Sequence, residues 1–303
     1  MKIHGALLAA LLLVLAQLGC SRAASRVVAD ALSSGAGNVY GSDDDPELVR
    51  DAVPFGLKTL EALLERHPEH EGLLLSLASG FTQYTFAFVD SDADALEMAG
   101  KSAQARPVRE RARHLYLRAR DYGLRGLEAR HKGSAAKLRE IRDLDPTLGA
   151  LNKDDVPLVY WTAASWALAI GSGLDDMALV AQLPAPGALM QRALALDETW
   201  DHGAIHEFFV SWEPARGASP EAFASAKRHL DRALELSQGK RLGPVVAYAE
   251  AVCVPKQDRA EFSRLLREVL TADVQADRPN RLANVLAQRR ARMLLDHADD
   301  LFT

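Results

Sequence analysis

The sequence predicts an all-α protein, an irregular tetratricopeptide-like helical repeat array with insertions, of about ten helices in four or five repeats. Three observations favour this fold class. A helical pattern at Met190–Asp197 returns at Ala226–Leu236, with another helical pattern between them. No stretch of convincing length alternates apolar and polar residues as a strand does. At 303 residues and 48% hydrophobic content, the chain can bury a sizeable core.

The recurring pattern has the spacing of the second helix of a tetratricopeptide-type repeat. A small residue is followed by a large one four positions later, and then by a small one three positions further on. The small residues let a paired helix approach closely, and the large residue fills the gap between the helices. Two such triples are Ala226, Leu230, Ala233 and Ala112, Tyr116, Ala119.

Residues 1–19 are typical of a lipoprotein signal peptide. After a positively charged start, the apolar run 6–16 is too short to span a bilayer. The run ends in Leu18-Gly19-Cys20-Ser21, which resembles a bacterial lipobox, in which Cys20 is acylated and becomes the first residue of the mature chain. Gln17 departs from the aliphatic residue usual at its position. The alternative is ordinary cleavage nearby, for example after Ala23, with loss of Cys20; both routes predict export from the cytoplasm.

An acylated Cys20 would anchor the chain in the cell envelope, facing the periplasm. Ser21 rather than Asp follows the cysteine, which favours the outer membrane over the inner one. Residues 20–42 then form a tether with a short N-terminal segment, and residues 43–303 form the helical repeat domain. Cys253 is the other cysteine, so lipid on Cys20 leaves it as a buried free thiol.

The helical domain is expected to begin at an acidic cap, because Asp45 precedes Pro46 and Pro is favoured at the first helical position. Apolar periodicity then divides the first half of the chain. The predicted segments are a first helix ending at His67, a second at Glu69–Val89, an insertion at Asp90–Ala105, a partner helix at Arg106–Ala129, and a charged connector at His131–Asp155 with a short helix at Ala135–Arg142.

The second half opens with an apolar, aromatic segment that is too short for a membrane span and predicts a buried helix. The final helix is more charged, as the end cap of a repeat array should be. After the repeat region described first, the predicted segments are the buried helix Pro157–Gly171, the pair Pro244–Val254 and Glu261–Leu270, and the terminal helix Pro279–Leu301.

Charge and motifs argue against two classes of function. A net charge of −5 and a pI near 6.0 give no electrostatic reason to expect nucleic acid as a partner. The sequence has no Gly-x-Ser-x-Gly elbow and no phosphate-binding loop, and Cys253 has no obvious histidine partner. We therefore expect neither an enzyme nor a cofactor, although catalytic residues scattered along the chain would escape such a search.

His202, His206 and Glu207 are the residues most suggestive of a metal. Histidines four apart on one helix can hold zinc, and a glutamate could act beside them in a metal-dependent hydrolase. Against this, no third ligand stands at a telling distance, and Glu207 lies on a different helical face from His202. We expect no metal site and keep the helical hydrolase as the alternative function.

Several stretches together resemble one family. They are Asp43–Pro46, Leu57–Leu60, Gly80–Tyr84, Leu115–Arg120 and Gly203–Glu207. Through them the chain is similar to the TatT lipoproteins, the tetratricopeptide-repeat T component of TRAP transporters, over roughly Val28–Leu301. The resemblance implies a periplasmic accessory protein that docks the substrate-binding P subunit, forms a homotrimer, and passes a small ligand, which could be hydrophobic, through a cavity in each protomer. A generic repeat scaffold for envelope assembly is the blander alternative.

In a tetratricopeptide-type array, the first helix of each pair lines the concave surface, where a small-molecule cavity of aromatic and polar residues would form. Trp161 and Phe209 would be equally at home in the core between helices. His206 and Glu207 are included because the family resemblance runs through them. The candidate cavity residues are Ser79, Gln83, Trp161, Ser165, His202, His206, Glu207, Phe209 and Trp212.

Overall fold

The computed structural model describes residues 29–31 and 39–302, and these form helices joined by turns. No strand occurs in the described ranges, which confirms the all-α prediction. The predicted signal peptide, Cys20 and most of the predicted tether lie outside these ranges. The tetratricopeptide-like register stays a prediction.

The first long helix, α1, starts where the acidic cap predicted it. The Asp45 carboxylate accepts hydrogen bonds from the backbone N–H groups of Glu47 and Leu48, and Pro46 occupies the first turn. A π-helical turn, Thr85–Asp90, continues α2 into α3. The helices are α1 Pro46–Arg66, α2 Glu71–Tyr84, α3 Ser91–Met98, α4 Ser102–Arg130, α5 Ser134–Arg139 and α6 Leu144–Gly149.

The second half likewise consists of helices joined by turns. Another π-helical turn, Ala249–Cys253, extends α12 and leaves Cys253 buried. The helices are α7 Val156–Gly171, α8 Met177–Val180, α9 Pro184–Leu196, α10 Ala204–Ala215, α11 Pro220–Leu236, α12 Gly243–Tyr248, α13 Arg259–Thr271, α14 Arg281–Asp296 and α15 Ala298–Leu301.

The longer helices pack on one another largely in chain order. Helix α2 packs on α1 and α4, α4 packs on α7, and α7 packs on α9; further along, α10 packs on α11 and α13 on α14. Both predicted small-large-small triples are buried at these contacts. One core surrounds α7 and includes Trp166 and Phe209, and a second joins α12, α13 and α14 around Phe262.

The predicted insertion between α2 and α4 is more helical than its composition suggested. It contains α3 and the first turn of α4. Its acidic residues find a common partner, because the Arg109 guanidinium on α4 lies 2.5 Å from Asp90, 2.6 Å from Asp94 and 2.7 Å from Glu97. These long-range ion pairs fix a segment whose own apolar content is low. The connector after α4 likewise holds a second short helix, α6, that periodicity did not predict.

The two ends of the array meet. Arg289 on α14 is paired with Glu47 on α1 at 2.6 Å, and Arg290 is paired with Asp94 on α3 at 2.8 Å. Met98, at the end of α3, packs against the C-terminal core. We call these contacts of α1 and α3 with α14 the seam. An open repeat array lacks such contacts, because each repeat touches only its neighbours.

The continuous helical stretch Glu71–Met98 is long and apolar enough to cross a bilayer by those two criteria alone. Half of its most apolar window is buried against other helices. Burial of that kind is also what a core helix of a folded domain shows.

Candidate functional site

Four of the predicted cavity residues lie on α2 and α7. Ser79 and Gln83 bond within α2, where Gln83 Nε2 donates to the Ser79 carbonyl at 3.3 Å. Ser165 is fully buried and donates its hydroxyl to the Trp161 carbonyl at 2.7 Å, which places it in the core. Trp161 is half-buried and meets the ring of Tyr160 edge-on at 5.0 Å.

Phe209 and Trp212 on α10 belong to the core. Phe209 is 1% exposed and stacks on the His229 ring, with ring centroids 4.8 Å apart. Trp212 stacks on Phe208 at 5.1 Å and lies so close to Gly187 that a Cβ there would meet the indole at 2.9 Å. Both side chains lie in the hydrophobic core around α7.

His202, His206 and Glu207 are separated by the fold. His202 lies in an exposed turn before α10 and has a left-handed backbone, with φ of 54°. His206 is buried and faces α11, whereas Glu207 faces Arg241. Among the described residues no group of three or more His, Cys, Asp or Glu side chains could hold a metal. The fold therefore does not bring His202, His206 and Glu207 together as one set of metal ligands.

His206 forms a pair with His229 between α10 and α11. The two Nδ1 atoms are 2.9 Å apart, so one ring donates and the other accepts. The Nε2 atom of His206 is buried without a hydrogen-bond partner, 3.8 Å from the Glu198 carboxylate. Burial lowers the pKa of both rings, and burial together with the charge of His206 lowers the pKa of His229 to about 4.

Glu207 belongs to a second, partly exposed group that includes Arg241, Asp201 and Tyr160. Arg241 donates to the Asp201 carbonyl at 2.7 Å and lies 3.3 Å from Glu207. Burial raises the pKa of Glu207, and the positive charge of Arg241 opposes that rise. Burial, reinforced by the charge of Glu207, raises the pKa of the Tyr160 hydroxyl. The carboxylate lies directly over the start of α12, because a Cβ on Gly243 would meet its Oε1 at 2.5 Å.

Solvent partly reaches this group. The Glu207 side chain is 28% exposed and that of Arg241 is 20% exposed, and burial is the largest influence on the pKa of each. The rings of Tyr160 and Trp200 lie 4.6 Å apart beside the group, tilted by 46°, and add aromatic surface.

A further charged group lies along the same helical face. Glu250 follows Gly243 by seven residues, which is two helical turns. Its carboxylate accepts from Arg290 Nε at 3.1 Å, and Arg290 also pairs with Asp94 across the seam. We call the set Asp201, Glu207, Arg241, Glu250, Arg290 and Asp94 the α12 polar track.

Sequence reasoning found Glu207 but missed the rest of the track. Arg241 and Asp201 are 40 residues apart, and Arg290 and Glu250 are also 40 apart, so no local motif signals either pair. The weak signal was the position of these charges at the borders of strongly apolar helices, where an ion needs a partner.

The architecture defines a class of protein: an all-helical scaffold with a partly exposed polar track and, among the described residues, no assembled metal site. The family comparison is consistent with this class. Residues 42–302 match the family model of the TRAP transporter T-component, and the chain belongs to this family. Members of that family are non-catalytic subunits of a transporter.

One relative is 30% identical over 275 residues. It is described as an uncharacterised protein of Treponema pallidum (strain Nichols), and the match covers 87% of this chain and 82% of the relative.

Proposed function

We propose that this chain is a lipid-anchored accessory subunit of a TRAP-type solute transporter. In this proposal it faces the periplasm, docks the substrate-binding P subunit and relays a small ligand to or from it. The observation that carries the proposal is the family match over residues 42–302, nearly the whole described domain. The anchor and the compartment rest on the lipobox-like sequence at Cys20, which favours the outer membrane.

The polar track supports the relay part of the proposal. A relayed ligand needs polar groups that solvent reaches, and the Glu207 and Arg241 side chains are 28% and 20% exposed. The aromatic rings of Tyr160 and Trp200 beside them would contact apolar parts of a ligand. A homotrimer, as implied by the family resemblance, would place three such tracks in one assembly.

The decisive experiment is co-purification with the P subunit of the same organism. Membranes carrying the tagged full-length protein are solubilised in mild detergent, and the bound fraction is probed for the P subunit and the TRAP permease. We expect the P subunit to co-purify in a stable ratio. If neither transporter protein is retained, while other envelope proteins are, a generic envelope scaffold is the better description.

The anchor is tested separately. Replacing Cys20 by Ala removes the site of acylation, and a chain without lipid should be released to the soluble periplasmic fraction, because stable anchoring needs more than one acyl chain. Cys253→Ala serves as the matched control and should stay with the membranes. If the Cys20→Ala protein still partitions wholly with membranes, the anchor lies elsewhere. For the wild type, separation of outer from inner membranes tests the choice of membrane.

A further inference from the structure

A cleft between α1 and α4 gathers cationic side chains around one buried carboxylate. Its volume is about 310 Å³, and its lining includes Lys58, Arg118 and Arg125. Two carboxylates, Glu61 and Glu65, face these three cations, so the cleft keeps a positive charge in a chain whose net charge is −5. No feature of the polar track or of the predicted cavity includes this cleft.

Glu61 holds the cations in place. Its side chain is 9% exposed, and its carboxylate accepts from Lys58 Nζ at 2.6 Å and from the Tyr122 hydroxyl at 2.6 Å. Arg118 forms an ion pair with the same carboxylate and lies over the Phe81 ring at 5.0 Å. Burial alone would raise the pKa of Glu61, but these donors and the Arg118 charge lower it, so the carboxylate stays ionised.

The cations keep donors that can face a ligand. An ammonium has three N–H bonds and a guanidinium has five, and the bond to Glu61 uses one of those on Lys58. Arg125 gives one N–H to the Pro68 carbonyl at 3.0 Å, and its guanidinium lies over the Tyr122 ring at 5.6 Å. Lys58 is 68% exposed and Arg118 is 43% exposed, so the cleft opens to solvent.

An apolar stripe leads along α1 into this cleft. Leu48 is 59% exposed and Phe55 is 80% exposed, and both belong to a helical face that also presents Ala52 and ends at Ala62 in the cleft wall. From Leu48 to Ala62 this face is about 21 Å long. Exposed large apolar side chains next to arginine and tyrosine are typical of protein interfaces.

We propose that this face of α1, with the cleft, is the surface that docks a partner protein through an acidic side chain flanked by an apolar patch. The carboxylate of the partner enters the cleft beside Lys58 and Arg125, and its apolar patch covers Phe55. A small carboxylate would fill the cleft but leave the stripe uncovered, whereas a protein surface covers both. The proposal rests on the proposed function for the identity of that partner, the P subunit.

The test measures the affinity of the purified P subunit for the full chain and its variants by isothermal titration calorimetry. Lys58→Glu and Phe55→Ser are each expected to weaken binding tenfold or more. Two exposed residues outside the face provide matched controls: Lys132→Glu, because Lys132 is also 68% exposed, and Phe86→Ser, because Phe86 is 60% exposed. Both controls should bind as the wild type does. A rising salt concentration should weaken P-subunit binding to the wild type more than binding to Lys58→Glu. The variant lacks the attraction between Lys58 and the carboxylate of the partner, which salt screens.

The outcomes separate this inference from the proposed function. If the P subunit binds the wild type and all four variants equally, the docking face is elsewhere and the proposed function stands. If the P subunit does not bind the wild type at all, the proposed function fails and this inference fails with it.

Other occupants would also overturn the inference. If Phe55→Ser dissociates an oligomer in sedimentation, the face joins copies of this chain. If the wild type binds vesicles containing phosphatidylglycerol and Lys58→Glu does not, while P-subunit affinity is unchanged, the cleft takes lipid headgroups. If succinate alone saturates the cleft, and the variants keep their affinity for the P subunit, the cleft is a small-molecule site.

Discussion

At the scale of single residues, His206 and His229 share a hydrogen bond in which one ring must donate and the other must accept. Glu198 and Arg232 lie on one side of the pair, and Arg228 adds a positive charge near His229. The pKa of His229 is about 4 in the folded protein, below the usual value near 6.5, because burial and the neighbouring histidine disfavour its charged form. The neutral pair therefore stabilises the fold fully above about pH 6.5, and this contribution is lost as the pH falls toward 4.

The pH dependence can be measured directly. The free energy of unfolding of the wild type should fall between about pH 6.5 and 4, with His229 contributing a slope of at most about 1.4 kcal/mol per pH unit. His229→Gln removes the ring that takes up a proton on unfolding, so the free energy of unfolding should vary less with pH between about 6.5 and 4. His114→Gln is the control, because His114 is 67% exposed on α4. Identical slopes for the wild type and His229→Gln would contradict the role of the pair.

Single residues also show where sequence reasoning stopped. His202 and His206 are four apart, which on one helix places them on the same face. Asp201 and His202 instead have left-handed backbones, with φ of 44° and 54°, and α10 starts after them at Ala204. The spacing therefore does not translate into proximity. Ala119 and Ala233, by contrast, belong to the small-large-small triples in the sequence, and both are buried.

At the scale of elements, the contact between α4 and α7 depends on glycine. A Cβ on Gly123 would lie 2.2 Å from Thr162 Oγ1 and 3.2 Å from the Thr162 Cα atom. A Cβ on Gly126, about one turn further, would lie 2.6 Å from the Leu158 Cδ2 atom. The two helix backbones can approach this far because neither glycine carries a side chain.

Replacing Gly123 by Ala sets two effects against each other. Alanine favours the helix by roughly 1 kcal/mol, but the clash involves backbone atoms of α7 and forces the helices apart, which costs about 1–3 kcal/mol. With the loss of packing around Leu124 added, we expect a lower melting temperature. Gly171→Ala is the control, because nothing lies within 4 Å of a Cβ there. Thr162→Ala in the Gly123→Ala background should restore part of the loss, and an undiminished melting temperature in Gly123→Ala would refute this account.

The helices differ in how clearly the sequence predicts them. The long amphipathic helices α1, α2, α4 and α11 show a clear apolar period, which predicts each of them. Helix α3 is short and acidic, and it is held by Arg109 from another helix, so its own sequence carries little signal. The interior of the polar track is likewise made by contacts between distant residues, which periodicity does not encode.

At the scale of the whole molecule, the seam makes the first and last parts of the domain stabilise each other. Arg290 joins Asp94 on α3 to Glu250 beside α12, and its side chain is 24% exposed. Removing Arg290 takes away the guanidinium that pairs with Glu250 and one of the two that pair with Asp94, which keeps Arg109.

Arg290→Met should therefore loosen both sides of the seam together. Hydrogen exchange monitored by mass spectrometry is expected to accelerate in Ser91–Met98 and in Arg281–Asp296, while the contact between α4 and α7 stays protected. Arg259→Met provides the comparison, because Arg259 is 53% exposed and pairs with an exposed Asp299. Faster exchange in α14 alone would show that the two ends are not coupled through Arg290.

The seam also has a consequence for the order in which the protein is made. Glu47 and its partner Arg289 are 242 residues apart in the chain. At about 5–20 residues per second, the ribosome needs roughly 10–50 s to add the second after the first. During that interval α1 and α3 have no α14 to pack against, and Met98 lacks its apolar neighbours. A chain that stops before Arg281 would leave that surface permanently open, so a late truncation should be retained by chaperones even though most of its helices are complete.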